Sequence, residues 1–267
     1  MALPPPQPDS TCLVTGASSG IGEHIARELA RRGHGVTLVA RRADRLAELA
    51  EELSESHGIR AETVGCDLND ADGRQSMMDE VAGHGLTVEV LVNNAGFGSG
   101  GAFHELDLEG ETGMVRTNVE VVVALTGAYL PGMVQRRRGA VLNLASLIAF
   151  QPVPYQATYG ASKAFVLAFS EAVHEELRGT GVTITALCPG PVRTEFGASG
   201  GFGGADDNIP EPVWINPGEV AAAGVEGVEK GRRVVVPGRL NQIGAIGGRL
   251  TPRSVLLPLV SRFWPVS

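Results

Sequence analysis

A parallel α/β sheet wound with helices on both faces is the fold this sequence predicts, and three observations predict it. Short β-rich runs alternate with helical stretches along most of the chain. The first run leads directly into a glycine-rich turn that opens a helix. The length, 267 residues with 43% hydrophobic and 19% charged content, suits one well-cored domain and is short for two full ones.

The chain opens on a Pro-rich arm, residues 1–9, expected to be flexible. No Lys or Arg precedes Arg27, and no stretch reaches the 18 or so apolar residues of a membrane span. The expectation is therefore a cytoplasmic protein without a secretory leader. The β-rich runs fall at 11–15, 36–40, 61–66, 88–93, 140–145, 182–187 and 233–236, about seven strands. Residues 21–32 and 45–57 read as helices, the second with Leu46, Leu49, Ala50 and Leu53 at i, i+3, i+4, i+7. Gly33 and Gly58 stand where helices end. Strand–helix–strand repetition implies parallel neighbours and right-handed crossovers.

Two regions break that rhythm. Residues 195–218 are rich in Gly and Pro without periodicity, and a loop of this length is usually functional. From Lys230 onward there are seven basic residues and no Asp or Glu, so the tail carries +7 against a net −8 for the whole chain. The expected domain is 10–237, followed by a basic, apolar extension at 238–267. That extension is expected to dock on a second subunit, to rest on an anionic membrane surface or to pack on its own acidic domain. The negative balance argues against a nucleic-acid partner. Cys12, Cys66 and Cys188 lie in apolar surroundings without metal-like spacing, which reads as reduced core thiols and no metal site.

The turn Thr15-Gly16-Ala17-Ser18-Ser19-Gly20-Ile21-Gly22 has the ingredients of a phosphate cradle. Gly16 lets the chain turn, Gly20 lets backbone approach a pyrophosphate, and Gly22 allows close helix packing. The helix start adds free N–H groups and a positive dipole. The second strand ends in Arg41-Arg42, with no Asp or Glu between Val36 and Ala43. An acid there would hold the 2′-hydroxyl of NAD, whereas Arg accommodates the 2′-phosphate of NADP. NADP(H) is the cofactor expected in preference to NAD(H), the bland alternative being that both arginines merely open a solvated helix.

Tyr159 and Lys163, at i and i+4, share one helix face. An ammonium near a phenol favours the phenolate, so Tyr159 is expected to titrate below its usual value and to serve as a proton donor and acceptor. Helix-face packing would show the same spacing. Ser146 closes the fifth β-rich run, where side chains face the ligand crevice. Taken alone it reads as a helix cap.

In these motifs the chain resembles a short-chain dehydrogenase/reductase of the single-domain, Rossmann-type kind. The resemblance covers roughly residues 8–195 and rests on the glycine turn, Asn93-Asn94-Ala95-Gly96, Asn118, Ser146, the Tyr159–Lys163 pentad and Pro189-Gly190-Pro191-Val192-Arg193-Thr194. It implies Tyr159 as general acid in reduction and base in oxidation, Lys163 lowering its pKa and holding the nicotinamide ribose, and Ser146 orienting the carbonyl. It implies that Asn118 holds a water linking Lys163 to solvent. For the cofactor it implies contacts from Ser18, Ser19 and Ile21 in the turn, Asp67 and Leu68 at the adenine, and Asn94, Ala95 and Gly96 beneath the dinucleotide. Pro189, Gly190, Val192 and Thr194 would lie at the nicotinamide. A homodimer or homotetramer through the helices around Asn118 and Tyr159 is implied as well.

Residues 195–218, with Phe196 and Trp214, are expected to form a substrate lid. Together with Phe97 and Tyr155 they would suit a ketone or aldehyde on an apolar or acyl-type body. A distant similarity to ketoacyl and hydroxysteroid reductases points the same way. Two other readings stand beside NADP(H)-dependent carbonyl reduction: an alcohol dehydrogenase working oxidatively, and a dinucleotide-binding redox sensor without turnover.

Overall fold

The computed structural model describes residues 3–196 and 210–263, with side chains as far as Ser261. Seven strands form one parallel sheet: β1 (Ser10–Thr15), β2 (Val36–Ala40), β3 (Ala61–Gly65), β4 (Thr87–Asn93), β5 (Gly139–Leu144), β6 (Val182–Leu187) and β7 (Val234–Val235). Their order is β3-β2-β1-β4-β5-β6-β7, every neighbouring pair parallel. The chain builds one half outward from β1 and then returns to start the other half at β4. That reversal leaves a crevice beyond the carboxyl ends of β1 and β4. The expected strand boundaries fall within two residues of these.

β1, β2, β5 and β6 are buried along their whole length, as short apolar runs in a sheet covered on both faces should be. Two cores cover the faces. On one, Ile25 and Leu29 of α1 (Gly20–Arg31), Leu46 and Leu53 of α2 (Ala43–His57), and Val220 and Val225 of α7 (Pro217–Glu229) close over Val14, Leu38 and Leu142. On the other, Met77 and Val81 of α3 (Ala71–Gly83) and Leu125 and Met133 of α5 (Val121–Arg136) close over Leu13, Leu91 and Ile184. Phe169 of α6 (Ala157–Glu176) packs against the same cluster. Asp70 caps α3 and Asn216 caps α7 through side-chain oxygens, and Gly58 ends α2 in the left-handed region at φ 63°.

Between β4 and β5 the chain runs as one helix, α4 (Leu108–Val115) passing through a π-turn (Arg116–Glu120) into α5. By length and composition this 29-residue helix, Leu108–Arg136, could cross a membrane, which corrects the expectation that no segment could. It lies in the helical layer against β4, β5 and α6, as a core helix of an α/β domain does.

Two further expectations are corrected. The arm is not loose from Leu3 onward: Leu3 packs on the core, Pro4 is buried, and Arg138 donates to the carbonyl of Pro5 at 2.5 Å. Nor is the boundary at 237/238 a break. In α8 (Arg239–Leu250) Asn241 is buried and donates to the carbonyls of Val213 and Pro237, both at 3.3 Å. Arg249 stacks on Phe150 at 4.7 Å and reaches Glu171, so this part of the tail packs on its own domain. The opposite face of α8 presents Leu240, Ile243, Ile246 and Leu250 outward, and α9 (Arg253–Phe263) follows it. Of the expected lid 195–218, residues 197–209 lie outside the described residues, leaving 195–196 and 210–218. The latter stretch forms a short 3₁₀ turn (Glu211–Val213), a bridge from Ile215 to Val192 and the start of α7.

Candidate active site

The crevice holds a cavity of about 750 Å³ whose wall runs from the glycine turn to Trp214. Its phosphate end is made of backbone. Gly16 turns at φ 64°, and a Cβ there would sit 2.9 Å from Ala95 Cα. A Cβ on Gly22 would enter the Asn94 carboxamide and the Gly16 carbonyl. Asn94 explains that crowding: its Nδ2 donates to the carbonyls of Thr15 at 2.9 Å and Gly16 at 3.2 Å, tying the turn to the end of β4. Gly22 therefore stands behind the wall while Gly16, Ser18, Ser19, Gly20 and Ile21 form it.

At the end of β2, Arg42 spreads its guanidinium over the turn. Its Nη2 donates to Ser19 Oγ at 2.7 Å and to Ser18 Oγ at 3.1 Å, and its Nη1 donates to Glu195 Oε2 at 2.9 Å. Arg41 lines the cavity beside it. Asp67 and Leu68, just past β3, line the next stretch, and Asp67 Oδ1 accepts from Asn69 N at 3.0 Å.

The reacting end is made of side chains. Ser146 lies two residues beyond β5 and caps the 3₁₀ turn Leu147–Phe150, its Oγ accepting from Ile148 N at 3.3 Å. The same hydroxyl hydrogen-bonds the Tyr159 phenol. Lys163 is buried one turn along α6, its Nζ donating to the Leu144 carbonyl at 2.9 Å and lying 5.8 Å from the centre of the Tyr159 ring. Burial pushes the Tyr159 phenol up to about 12, with the Ser146 hydrogen bond pulling the other way. Burial likewise brings Lys163 down to about 8. This corrects the expectation of a phenol lowered by its lysine. Desolvation of the buried phenol sets the direction.

Asn118 is fully buried in the π-turn. Its Nδ2 donates to the Phe97 carbonyl at 2.9 Å and to Ser162 Oγ at 3.0 Å, while its Oδ1 accepts from Phe97 N at 3.2 Å. A Cβ on Gly96 would lie 2.7 Å from Asn118 Oδ1 and 3.5 Å from Lys163 Nζ, so the glycine lets the three meet. The carboxamide is engaged by protein partners, and Asn118 stands close to Lys163 behind the cavity wall.

Thr194 faces the glycine turn: a Cβ on Gly20 would meet its Cβ and Cγ2 at 3.4 Å. Gly190 is pressed against Asn241, leaving no room for a side chain. Phe97, Phe196 and Trp214 line the cavity, and Phe196 sits 5.7 Å from Tyr159, centre to centre. Tyr155 does not line it. The residue adopts φ 67°, and its carbonyl accepts from Gly101 N at 2.9 Å. Ile148, Gln151, Val153 and Gln156 line the cavity and were missed. Their signal was positional: the segment from Ser146 to Tyr159 must run from one crevice residue to another, yet it shows no periodicity.

The donor set suits a dinucleotide: a glycine cradle at a helix N-terminus, an arginine fork at the end of β2 and a small-residue floor. A family model described as short chain dehydrogenase matches residues 10–200. The chain is 40% identical over 186 residues to sulfoacetaldehyde reductase 2 of Chromohalobacter salexigens, covering 69% of this chain and 73% of that protein. It is 35% identical over 216 residues to an NADP-dependent 3-hydroxy acid dehydrogenase of Escherichia coli O157:H7, covering 79% and 86%. Among solved structures, a short-chain dehydrogenase from Sphingobium yanoikuyae in complex with NADPH superposes with TM-score 0.79 at 32% identity, over 92% of this chain and 94% of that one. The parallel sheet, the crevice at its reversal point and these matches place the chain in the short-chain dehydrogenase/reductase family, oxidoreductases of alcohol and carbonyl groups.

Proposed function

We propose that this protein reduces a ketone or aldehyde, carried on an apolar or acyl-type body, with NADP(H) as cofactor. The observation that carries the reading is the Ser146 hydroxyl bonded to the Tyr159 phenol in the wall of one cavity that also contains the glycine cradle. The glycine turn and the start of α1 would hold the pyrophosphate, Arg41 and Arg42 the 2′-phosphate, and Asp67 and Leu68 the adenine. Asn94, Ala95 and Gly96 would form the floor, Lys163 would hold the nicotinamide ribose, and Pro189, Gly190, Val192 and Thr194 would bound the nicotinamide. When bound, the nicotinamide supplies or accepts the hydride.

Ser146 orients the substrate oxygen, and Tyr159 gives that oxygen a proton as charge develops on it. Lys163 then steadies the phenolate that is left. Asn118 acts as a positioning residue, fixing the Phe97 backbone beside Gly96. Burial keeps Tyr159 in the protonated form, the form in which it can give a proton to the substrate oxygen. Phe97, Phe196 and Trp214 give the substrate half an apolar wall. Exposed Val115, Val123 and Phe165 on the α4–α6 surface support a homo-oligomer built there.

The test is oxidation of NADPH and of NADH by the purified protein across apolar ketones, ketoacyl thioesters, steroids and small aldehydes. Turnover with NADPH on the apolar or acyl members supports the reading. Turnover confined to small charged aldehydes overturns the substrate class, and preference for NADH overturns the cofactor.

A further inference from the structure

The sequence offers no acid at the end of β2, yet a carboxylate stands there. Glu195 arrives from 153 residues further along the chain than Arg42. Its Oε2 accepts from Arg42 Nη1 at 2.9 Å, its Oε1 lies 3.5 Å from Arg45 Nη1, and it also bonds the Ser19 side chain. Thr194 makes this possible by crossing the crevice to face Gly20, which sets the next residue over the start of α2. Two guanidinium groups and a hydroxyl around one carboxylate are the donor set of a phosphate monoester.

We infer that Glu195 is a built-in occupant of the 2′-phosphate position and sets how strongly the protein distinguishes NADPH from NADH. The inference rests on the NADP(H) reading above. A 2′-phosphate must take Arg42 from Glu195 and then bear a like charge beside it. A free 2′-hydroxyl needs no such exchange and can donate to the carboxylate, the arrangement by which an acid at this place holds NAD. The ion pair is half in solvent, with side-chain exposures of 42% for Arg42 and 53% for Glu195, so displacement is cheap and the effect moderate. Salt screens it.

The test is calorimetric titration of the wild type, Glu195→Gln and Arg42→Ala with NADPH, NADH, adenosine 2′,5′-bisphosphate and 5′-AMP, at low and high salt. The two adenosine phosphates need no nicotinamide and no turnover. Glu195→Gln should raise affinity for NADPH and the bisphosphate about fivefold over NADH and 5′-AMP at low salt, and less at high salt. An unchanged ratio, with Arg42→Ala still lowering NADPH affinity selectively, overturns the role of Glu195 alone. If Arg42→Ala leaves the ratio unchanged, the NADP(H) reading and this inference fall together. A Glu195→Asp variant of unchanged melting temperature guards against misfolding, since it keeps the charge and should behave like the wild type.

Discussion

The two ends of the crevice are built from different materials. At the phosphate end the walls are backbone, and what matters is the absence of atoms: Gly16 and Gly22 have no space for a side chain. At the reacting end what matters is the presence of particular atoms, the phenol oxygen of Tyr159, the hydroxyl of Ser146 and the ammonium of Lys163. One end should therefore break when a carbon is added, the other when an oxygen is removed.

The largest expected effect is at the reacting end. Tyr159→Phe should lower kcat on the best carbonyl substrate about 10³-fold, while NADPH titration stays within about twofold of the wild type. Loss of binding together with rate would show that the two ends are not separable. Gly22→Ala is the reverse experiment. Its added methyl must displace the Asn94 carboxamide or the turn, so NADPH binding should fall and urea unfolding should show a loss of about 1–3 kcal/mol. Normal stability and binding would mean that the turn yields.

Lys163 sharpens the contrast through pH. Burial lowers it from 10.5 to about 8, so between those values the unfolded chain holds a proton that the folded chain has released. Folding stability contributed by this group therefore rises with pH across that window, and below about pH 8 the full burial penalty remains. The melting temperature of the wild type should rise relative to that of Lys163→Met between pH 8 and pH 10, whatever constant offset the lost bond to Leu144 adds. A difference that is flat with pH would show that the ammonium is not desolvated. Trp214→Ala should give the smallest effect, a rise in KM of about fivefold for apolar ketones with kcat nearly kept. An equal rise for small aldehydes would argue against an apolar substrate half.

Legibility followed the same division. β2 and β6 run over the expected residues because short runs of apolar and β-branched residues, bounded by loop residues, leave one place for a strand in a covered sheet. The glycine turn was readable because its chemistry is local. The π-turn at Arg116–Glu120 was not, since nothing in RTNVE distinguishes it from ordinary helix. The turn at Tyr155 was not legible, because a positive φ at a non-glycine residue leaves no mark in sequence. The raised phenol of Tyr159 was misjudged because i, i+4 spacing reports proximity along a helix and says nothing of desolvation. Glu195 sat in a stretch without pattern, and only the fold brings it to Arg42.

The π-turn also has a phase. An ordinary helix advances about 100° per residue, and the turn absorbs one residue more than an α-helical register would. Deleting a single residue between Arg116 and Glu120 would let the chain run through as ordinary helix, with Glu111 and Met114 of α4 and Val121 and Leu125 of α5 keeping the sides they now hold. The change would be felt inside the turn, where Asn118 would lose its grip on Phe97. The turn is thus a local bulge that aims one carboxamide inward while the helices on either side stay in phase.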